Sequence, residues 1–188
     1  MVVQWNEEAA GIGTIDDVLD AAECAEHIDR AERAGFSRAP IVSGYGEVFA
    51  ATVRNNTRFM TDDFALAALV WERTRERLPL FLDGRQAIAM NERFRYYRYR
   101  AGERFAWHGD APFRRSNGEV SQLSFIMYLN EDYTGGETAV MKSVITPKRG
   151  MALFFLHELL HEGRPVLAGT KYVMRTDVMY GRVGEIRG

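Results

Sequence analysis

The pattern of apolar residues changes near Ala87, and this change is the strongest constraint on the fold. From there to Tyr180, short runs rich in β-branched and aromatic residues alternate with turns, which leaves no room for long helices. In residues 93–100 the side chains alternate, with Tyr97 and Tyr99 on one face. Residues 151–156 are apolar at every position, which is typical of a strand buried on both faces. We therefore expect a mainly β core over residues 87–188.

Residues 1–86 show helical patterns instead. Asp20 and Glu23 have the spacing of a capping box, and the helix that follows is expected to end at Gly35. A second helix is expected to begin near residues 61–63 and to end by Pro79. We expect residues 1–86 to be mostly helical support packed on one sheet, so that 1–188 forms a single α+β domain.

Composition excludes several functional classes. The 188-residue chain has 46% hydrophobic and 27% charged residues, and its net charge of −2 favours neither nucleic acid nor a membrane surface as partner. The single cysteine, Cys24, has no intrachain partner for a disulfide, which fits a reducing compartment. No apolar run approaches the roughly 20 residues of a membrane span, and no signal peptide is visible. We expect a cytoplasmic protein, and nothing in the pattern specifies an oligomeric state.

Four residues carry the chemistry that the sequence suggests. His108 and Asp110 are two apart, so on an extended segment both side chains leave the same face. With His161 they complete a set of two imidazoles and one carboxylate, which holds iron(II) on one side and leaves the other open. Lys171, ten residues after His161, would place a cation near this metal.

The segment His157-Glu158-Leu159-Leu160-His161 matches the H-E-x-x-H pattern of zinc metalloproteases. That chemistry needs a helix, on which both histidines face one zinc ion. Here the six preceding residues have a strand pattern, and Gly163 and Pro165 follow closely, so we do not favour a zinc hydrolase. His157 is then either an exposed loop residue, which is the favoured interpretation, or a residue that supports a metal ligand.

Six stretches between Asn91 and Tyr180 together resemble one known family. Their order and spacing are those of the Fe(II)- and 2-oxoglutarate-dependent dioxygenases, in the prolyl 4-hydroxylase-like branch. The matching stretches are residues 97–105, 128–130, 135–138, 147–150, 161–166 and 169–172. The N-terminal half resembles the family only loosely.

This resemblance implies a fold, a set of cofactors and a reaction. The fold is a double-stranded β-helix, or jelly roll, of two antiparallel sheets. His108, Asp110 and His161 would hold Fe(II), with 2-oxoglutarate and O2 at the open positions. Lys171 would bind the far carboxylate of 2-oxoglutarate, assisted by the phenols of Tyr99 and Tyr128, which are otherwise core aromatics. The products would be succinate, CO2 and a substrate hydroxylated at an unactivated C–H bond. Halogenating relatives lack the carboxylate, so Asp110 favours hydroxylation.

Arginines near these positions have several interpretations. Arg175 shares the strand face of Lys171 and Asp177, where it would bind the cosubstrate, meet a substrate carboxylate or pair with a buried acid. Residues 54–58 are expected to be a solvated connection, or else a polar wall of the substrate pocket. The polar loop 111–119 is a candidate lid. Arginines that hint at an anionic substrate group are Arg54, Arg58, Arg95, Arg114 and Arg115.

The substrate class stays open among peptidyl proline, free amino acids and natural-product intermediates. Two alternatives to an oxygenase also stay open. One is the zinc metallohydrolase that uses His157 and His161. The other is a non-catalytic, metal-binding jelly roll, although a complete triad together with Lys171 argues against it.

Overall fold

Strands dominate the part of the chain that the computed structural model describes, which is residues 11–43 and 46–182. The strands are β1 (Ile12–Ile15), β2 (Ser37–Arg38), β3 (Ile41–Ser43), β4 (Gly46–Val48), β5 (Thr57–Asp62), β6 (Phe81–Leu82), β7 (Arg85–Met90), β8 (Arg93–Arg100), β9 (Phe105–His108), β10 (Val120–Tyr128), β11 (Thr134–Gly135), β12 (Thr138–Val140), β13 (Ser143–Ile145), β14 (Ala152–Leu156), β15 (His161–Gly163), β16 (Val166–Ala168) and β17 (Thr170–Arg182). The helices are α1 (Ala21–Ala34), α2 (Phe64–Thr74) and a short 3-10 helix (Arg75–Arg77). The N-terminal residues 1–10, in which the sequence shows no signal peptide, lie outside the described residues.

The strands form two main antiparallel sheets. The larger sheet has the order β1-β14-β10-β17-β8-β5-β2, and β7 pairs with the C-terminal half of β17 and with β6. The smaller sheet has the order β13-β12-β15-β9, and two short pairs, β11-β16 and β3-β4, complete the described set. This arrangement confirms the expected mainly β class.

The larger sheet is buried on both faces, because alternate residues of its strands enter different clusters. In β8, Phe94 and Tyr96 pack with buried residues of α1 and α2, while Tyr97 and Tyr99 belong to a second cluster that includes Val140 of the smaller sheet. The sequence therefore predicted correctly both the alternation in β8 and the burial of β14, whose residues 152–155 are all buried. The second cluster surrounds the candidate site.

The helices begin where their capping residues lie. The Asp20 side chain accepts from Glu23 N at 2.8 Å, and the Glu23 carboxylate accepts from Asp20 N at 2.9 Å, which confirms the predicted capping box. The Asp63 side chain accepts from Leu66 N at 2.9 Å at the start of α2. Asp63 also pairs with Arg30 of α1 at 2.6 Å, so the two helices are joined. Neither helix is long and apolar enough to cross a membrane, in the part of the chain that was described.

Residues 1–86 differ from the expected mostly helical segment. Their described part contains the six strands β1–β6 and the start of β7 as well as two α-helices. Of these strands, β1, β2 and β5 extend the larger sheet at both edges. β1 pairs with β14, and β5 pairs with β8. The sequence of β5, Thr-Arg-Phe-Met-Thr-Asp, does not alternate apolar and polar residues, so it lacks the period of two on which strand prediction depends.

Candidate active site

Two neighbouring strands of the smaller sheet bring the predicted metal ligands together. β9 and β15 are antiparallel, with His108 directly opposite His161. Asp110 lies two residues beyond His108, and its backbone N–H donates to the carbonyl of His157 at 2.8 Å. One ligand atom from each of the three side chains lies within 4.8 Å of the others. The structure thus assembles the set that the sequence suggested.

Both imidazoles are oriented so that Nε2 is available for a metal. His108 Nδ1 lies 2.7 Å from the carbonyl oxygen of Ala106, and His161 Nδ1 lies 3.0 Å from that of Leu159. Since a carbonyl only accepts, each Nδ1 carries the hydrogen and each Nε2 has a free lone pair. His161 Nε2 lies 3.4 Å from Asp110 Oδ2. Two neutral imidazole nitrogens and a carboxylate oxygen fit Fe(II).

The protonation states also suit a cation. Burial, followed by the proximity of His161, lowers the pKa of His108 to about 4. Burial likewise lowers the pKa of His161. Burial alone would raise the pKa of Asp110, but the neighbouring Arg175 and His161 bring it well below its usual value. At neutral pH the site therefore presents two neutral imidazoles and an ionised carboxylate.

Both carboxylate oxygens of Asp110 accept hydrogen bonds from side chains of the larger sheet. Arg175 Nη1 donates to Asp110 Oδ1 at 2.7 Å, and Ser124 Oγ donates to Oδ2 at 2.5 Å. The same guanidinium donates through Nη2 to Ser124 Oγ and to Asp177 Oδ1, each at 3.1 Å. Arg175 therefore forms the buried ion pair that was one of its predicted roles, and one of its two partners, Asp110, is a predicted metal ligand.

Lys171 lies in the cavity next to the triad. It is 4% exposed, and its Nζ donates to the carbonyl oxygen of Gly136 at 2.6 Å. The Nζ atom lies 5.7 Å from the centre of the Tyr99 ring and 5.2 Å from that of Tyr128. Burial lowers the pKa of Lys171 to about 7. An acidic ligand would restore the charge of this amine and find a cation there.

The walls of this cavity come from both sheets. Phe105, Ile126 and Val173 supply apolar surface, while His108, His161, Lys171 and Arg175 supply polar atoms. The Phe105 ring stacks on His108, with 3.5 Å between ring centres. The Tyr128 hydroxyl donates to Thr138 Oγ1 at 2.7 Å, so this phenol is satisfied as well as close to the lysine. Thr138 is a cavity residue that sequence reasoning missed.

A second cavity, of about 480 Å³, is bordered by Asp110. Its lining includes Asp110, His157, Arg85 and two residues of the loop 111–119, Pro112 and Arg114. Asp110 thus borders this cavity, while His108 and His161 border the one that holds Lys171. The loop that was predicted as a lid forms part of the wall here.

His157 is not the exposed loop residue that was expected. It is 5% exposed, with Nδ1 2.9 Å from Ser124 Oγ and Nε2 2.8 Å from Ser121 Oγ. Residues 157–160 form a turn between β14 and β15, not a helix. Since both ring nitrogens are engaged with serines, His157 has no lone pair free for zinc, and the zinc hydrolase interpretation is not supported.

The arginines suggested for an anionic substrate group have varied surroundings. Arg54 is buried between the rings of Phe105 and Tyr97, at 4.2 and 4.5 Å, so the expectation of a solvated connection was wrong at this position. Arg95 pairs with Asp177 at 3.3 Å. Arg115 pairs with Glu119 at 2.7 Å and with Glu92. Arg114 is exposed at the second cavity.

Ser121 and Ser124 were also missed, although the sequence contains a signal for them. Both are fully buried in β10, a strand that is otherwise mostly apolar. A buried hydroxyl needs a partner, so two serines three residues apart in such a strand indicate polar groups on the neighbouring elements.

The fold and the site together define a class of protein. Two histidines on neighbouring strands of one sheet of a jelly roll and a carboxylate just beyond, beside a cavity with a buried lysine, are the features of a non-haem iron oxygenase. The chain belongs to the 2OG-Fe(II) oxygenase superfamily, whose family model matches residues 94–176. It is 33% identical over 169 residues to a PKHD-type hydroxylase of Acaryochloris marina, an alignment that covers 85% of this chain and 74% of the relative.

Solved structures of prolyl hydroxylases share the fold of this chain. The viral collagen prolyl hydroxylase of Paramecium Bursaria Chlorella virus-1 has a TM-score of 0.62 and 20% identity, covering 94% of this chain and 98% of that one. A Trichoplax adhaerens prolyl hydroxylase, in complex with a hypoxia inducible factor peptide fragment, has a TM-score of 0.68 and 17% identity, covering 91% and 84%. These similarities confirm the jelly roll. Family membership establishes a 2-oxoglutarate-dependent hydroxylase that uses Fe(II), 2-oxoglutarate and O2.

Proposed function

We propose that the protein hydroxylates an unactivated C–H bond of a peptidyl or small-molecule substrate, with release of succinate and CO2. The observation that carries this proposal is that His108 and His161, which form a possible metal site with Asp110, line the cavity that also contains Lys171. Bound Fe(II) and 2-oxoglutarate supply the oxidising chemistry. Asp110 occupies the position that halogenating relatives leave free, which supports hydroxylation as the outcome.

The proposed roles follow from the contacts of each side chain. His108 and His161 bind iron through Nε2, and Asp110 binds it through its carboxylate. Lys171 pairs with the far carboxylate of 2-oxoglutarate, and the rings of Tyr99 and Tyr128 flank its ammonium group.

Arg175 has a different role from the one its place beside Lys171 suggested. Its Nη atoms already donate to Asp110, Ser124 and Asp177. We therefore assign it to Asp110, where it orients the carboxylate and keeps it ionised, and not to the cosubstrate.

The substrate is proposed to enter through the second cavity. 2-Oxoglutarate fills the cavity of Lys171, so the remaining approach to the metal passes Asp110, Pro112 and Arg114. The Trichoplax adhaerens enzyme holds a peptide fragment, and a peptide or an amino acid derivative suits an open cavity of about 480 Å³. The exposed guanidinium of Arg114 favours a substrate with an acidic group near the reacting carbon.

An anaerobic titration tests the proposed function directly. Adding Fe(II) and then 2-oxoglutarate to metal-free protein is expected to produce the visible charge-transfer band of an iron–oxoacid chelate. His161→Ala removes one of the two imidazole ligands and is expected to abolish the band. A folded wild-type protein that binds zinc but never gives the band would contradict the assignment.

The affinity for 2-oxoglutarate is expected to fall as pH rises above about 7. Burial lowers the pKa of Lys171 to about 7, so the free protein carries the ammonium below that pH and the neutral amine above it. Binding the far carboxylate of 2-oxoglutarate requires the ammonium form of Lys171. Above about pH 7, each molecule of 2-oxoglutarate that binds must therefore be accompanied by the uptake of one proton. The dissociation constant should rise by up to about tenfold per pH unit until the pKa of the complex is reached.

Lys171→Arg is the matched control for this pH dependence, because a guanidinium keeps its charge over the whole range. Its affinity should be nearly independent of pH between pH 6.5 and 8.5. Anaerobic titration with 2-oxoglutarate at three pH values measures the affinity of both proteins. A wild-type affinity as flat as that of Lys171→Arg would show that the lysine is charged in the free protein.

A further inference from the structure

We propose that His157 is a positioning residue that fixes Asp110 and the loop that follows it through two serines of β10. The inference rests on the proposed metal site, because Asp110 is one of its ligands. The His157 imidazole lies between Ser124, which holds Asp110, and Ser121, which holds the backbone of Phe113. Phe113 belongs to the loop 111–119 at the second cavity.

The direction of each hydrogen bond follows from the chemistry of the end groups. The ionised Asp110 carboxylate only accepts, so the Ser124 hydroxyl hydrogen points to Oδ2. Ser124 Oγ must therefore accept from His157 Nδ1, which carries the imidazole hydrogen. Arg175 Nη2 donates to the second lone pair of the same oxygen. The hydrogen and both lone pairs of the Ser124 hydroxyl are then engaged in hydrogen bonds.

The hydrogen bonds on the Ser121 side of His157 point in the same direction. With hydrogen on Nδ1, the neutral imidazole accepts at Nε2 from the Ser121 hydroxyl, at 2.8 Å. Ser121 Oγ in turn accepts from Phe113 N, also at 2.8 Å. All four hydrogen bonds between the backbone N–H of Phe113 and the carboxylate of Asp110 thus point in the same direction. A single imidazole tautomer satisfies all four bonds.

The backbone of His157 reinforces this arrangement. Its carbonyl accepts from Asp110 N at 2.8 Å, and its N–H donates to the carbonyl of Gln122, between the two serines, at 3.1 Å. Ser121 also donates through its own backbone N–H to the carbonyl of Phe113 at 2.8 Å. His157 therefore restrains Asp110 by its backbone and by its side chain, while the loop is attached to the same strand.

Two serine variants test separately the hydrogen bonds towards Asp110 and those towards Phe113. Ser121→Ala and Ser124→Ala remove the same atom from fully buried positions of one strand, so each is the control for the other. Ser124→Ala is expected to weaken Fe(II) binding by about 10-fold or more, within the range for residues that orient metal ligands. Ser121→Ala should leave Fe(II) binding within about threefold and should speed hydrogen exchange at the Phe113 amide. Anaerobic chelator competition and amide exchange measure these effects without turnover.

Substitutions of His157 test the imidazole itself. His157→Leu should show both defects, whereas His157→Asn, whose amide nitrogen replaces Nδ1, should recover Fe(II) affinity but not the slow exchange of Phe113. His27→Gln is a control, because that half-buried histidine of α1 contacts Tyr96 on the helical side of the sheet. If His157→Leu does not fold, the serine pair and His157→Asn still decide the question.

Different outcomes overturn different statements. Unchanged Fe(II) affinity in both Ser124→Ala and His157→Leu would overturn the role of His157 and leave the proposed function intact. A loss in His157→Leu that His157→Asn does not recover would show that the ring acts by packing alone, which also overturns it. Absence of Fe(II) binding in the wild type would instead refute the metal site itself.

Discussion

Asp110→Ala is expected to reduce hydroxylation to the background level, because the substitution removes the proposed anionic ligand of the metal. The charge-transfer band with Fe(II) and 2-oxoglutarate should disappear as well, and succinate release should stop. Arg175 keeps Asp177 as its partner at 3.1 Å, so the metal-free variant should still fold, as circular dichroism would show.

Glu158→Ala is the matched control for this variant. Glu158 is an exposed carboxylate in the turn after β14, and it is the residue that a zinc protease would use as its base. The oxygenase assignment predicts that Glu158→Ala binds Fe(II) like the wild type. The reverse result, with activity lost in Glu158→Ala and kept in Asp110→Ala, would restore the hydrolase interpretation.

Arg175→Met is expected to destabilise the metal-free protein by about 3–5 kcal/mol, the usual cost of breaking a buried ion pair from one side. The substitution leaves the carboxylates of Asp110 and Asp177, which are 7% and 4% exposed, without their shared cation. Fe(II) should recover part of this loss because it neutralises Asp110. Urea unfolding with and without Fe(II), under anaerobic conditions, measures both effects.

Two further variants make the result for Arg175 specific. Arg164→Met removes a guanidinium that is 42% exposed and pairs with Glu162 at 3.5 Å, so it should cost less than about 1 kcal/mol. The double variant Asp110→Ala/Arg175→Met should be more stable than the sum of the two single losses, since it removes both charges of the pair. Full additivity would mean that the two side chains do not interact.

The sequence predicted the parts of the site that depend on local spacing. His108 and Asp110 are two apart on an extended segment, and Lys171 and Arg175 share a face of β17, so a period of two was enough to group them. The buried strand β14 and the cap of α1 also depend on neighbouring residues. Such features are visible without knowledge of the tertiary structure.

The parts that sequence reasoning missed depend on pairing over long distances in the chain. Arg175 reaches Asp110 from 65 residues away, and Ser124 reaches it from 14 residues away on another strand. His157 was expected to be exposed because it lies in a short connection after a strand, but β10 lies beside that connection and its serines bury the His157 side chain. Arg54 is likewise buried by the rings of Tyr97 and Phe105, which belong to other strands.

The continuity of β17 has a consequence for the length of acid that the enzyme accepts. This 13-residue strand carries both Lys171 and Arg175, and Arg175 donates to the carboxylate of Asp110. Four residues of extended strand span roughly 13 Å and do not stretch or shorten appreciably. The Lys171 ammonium group and the Asp110 carboxylate that Arg175 orients are therefore held at a set separation. With Lys171 and Asp110 in their proposed roles, we expect a 2-oxo dicarboxylate one carbon shorter or longer than 2-oxoglutarate to bind less tightly.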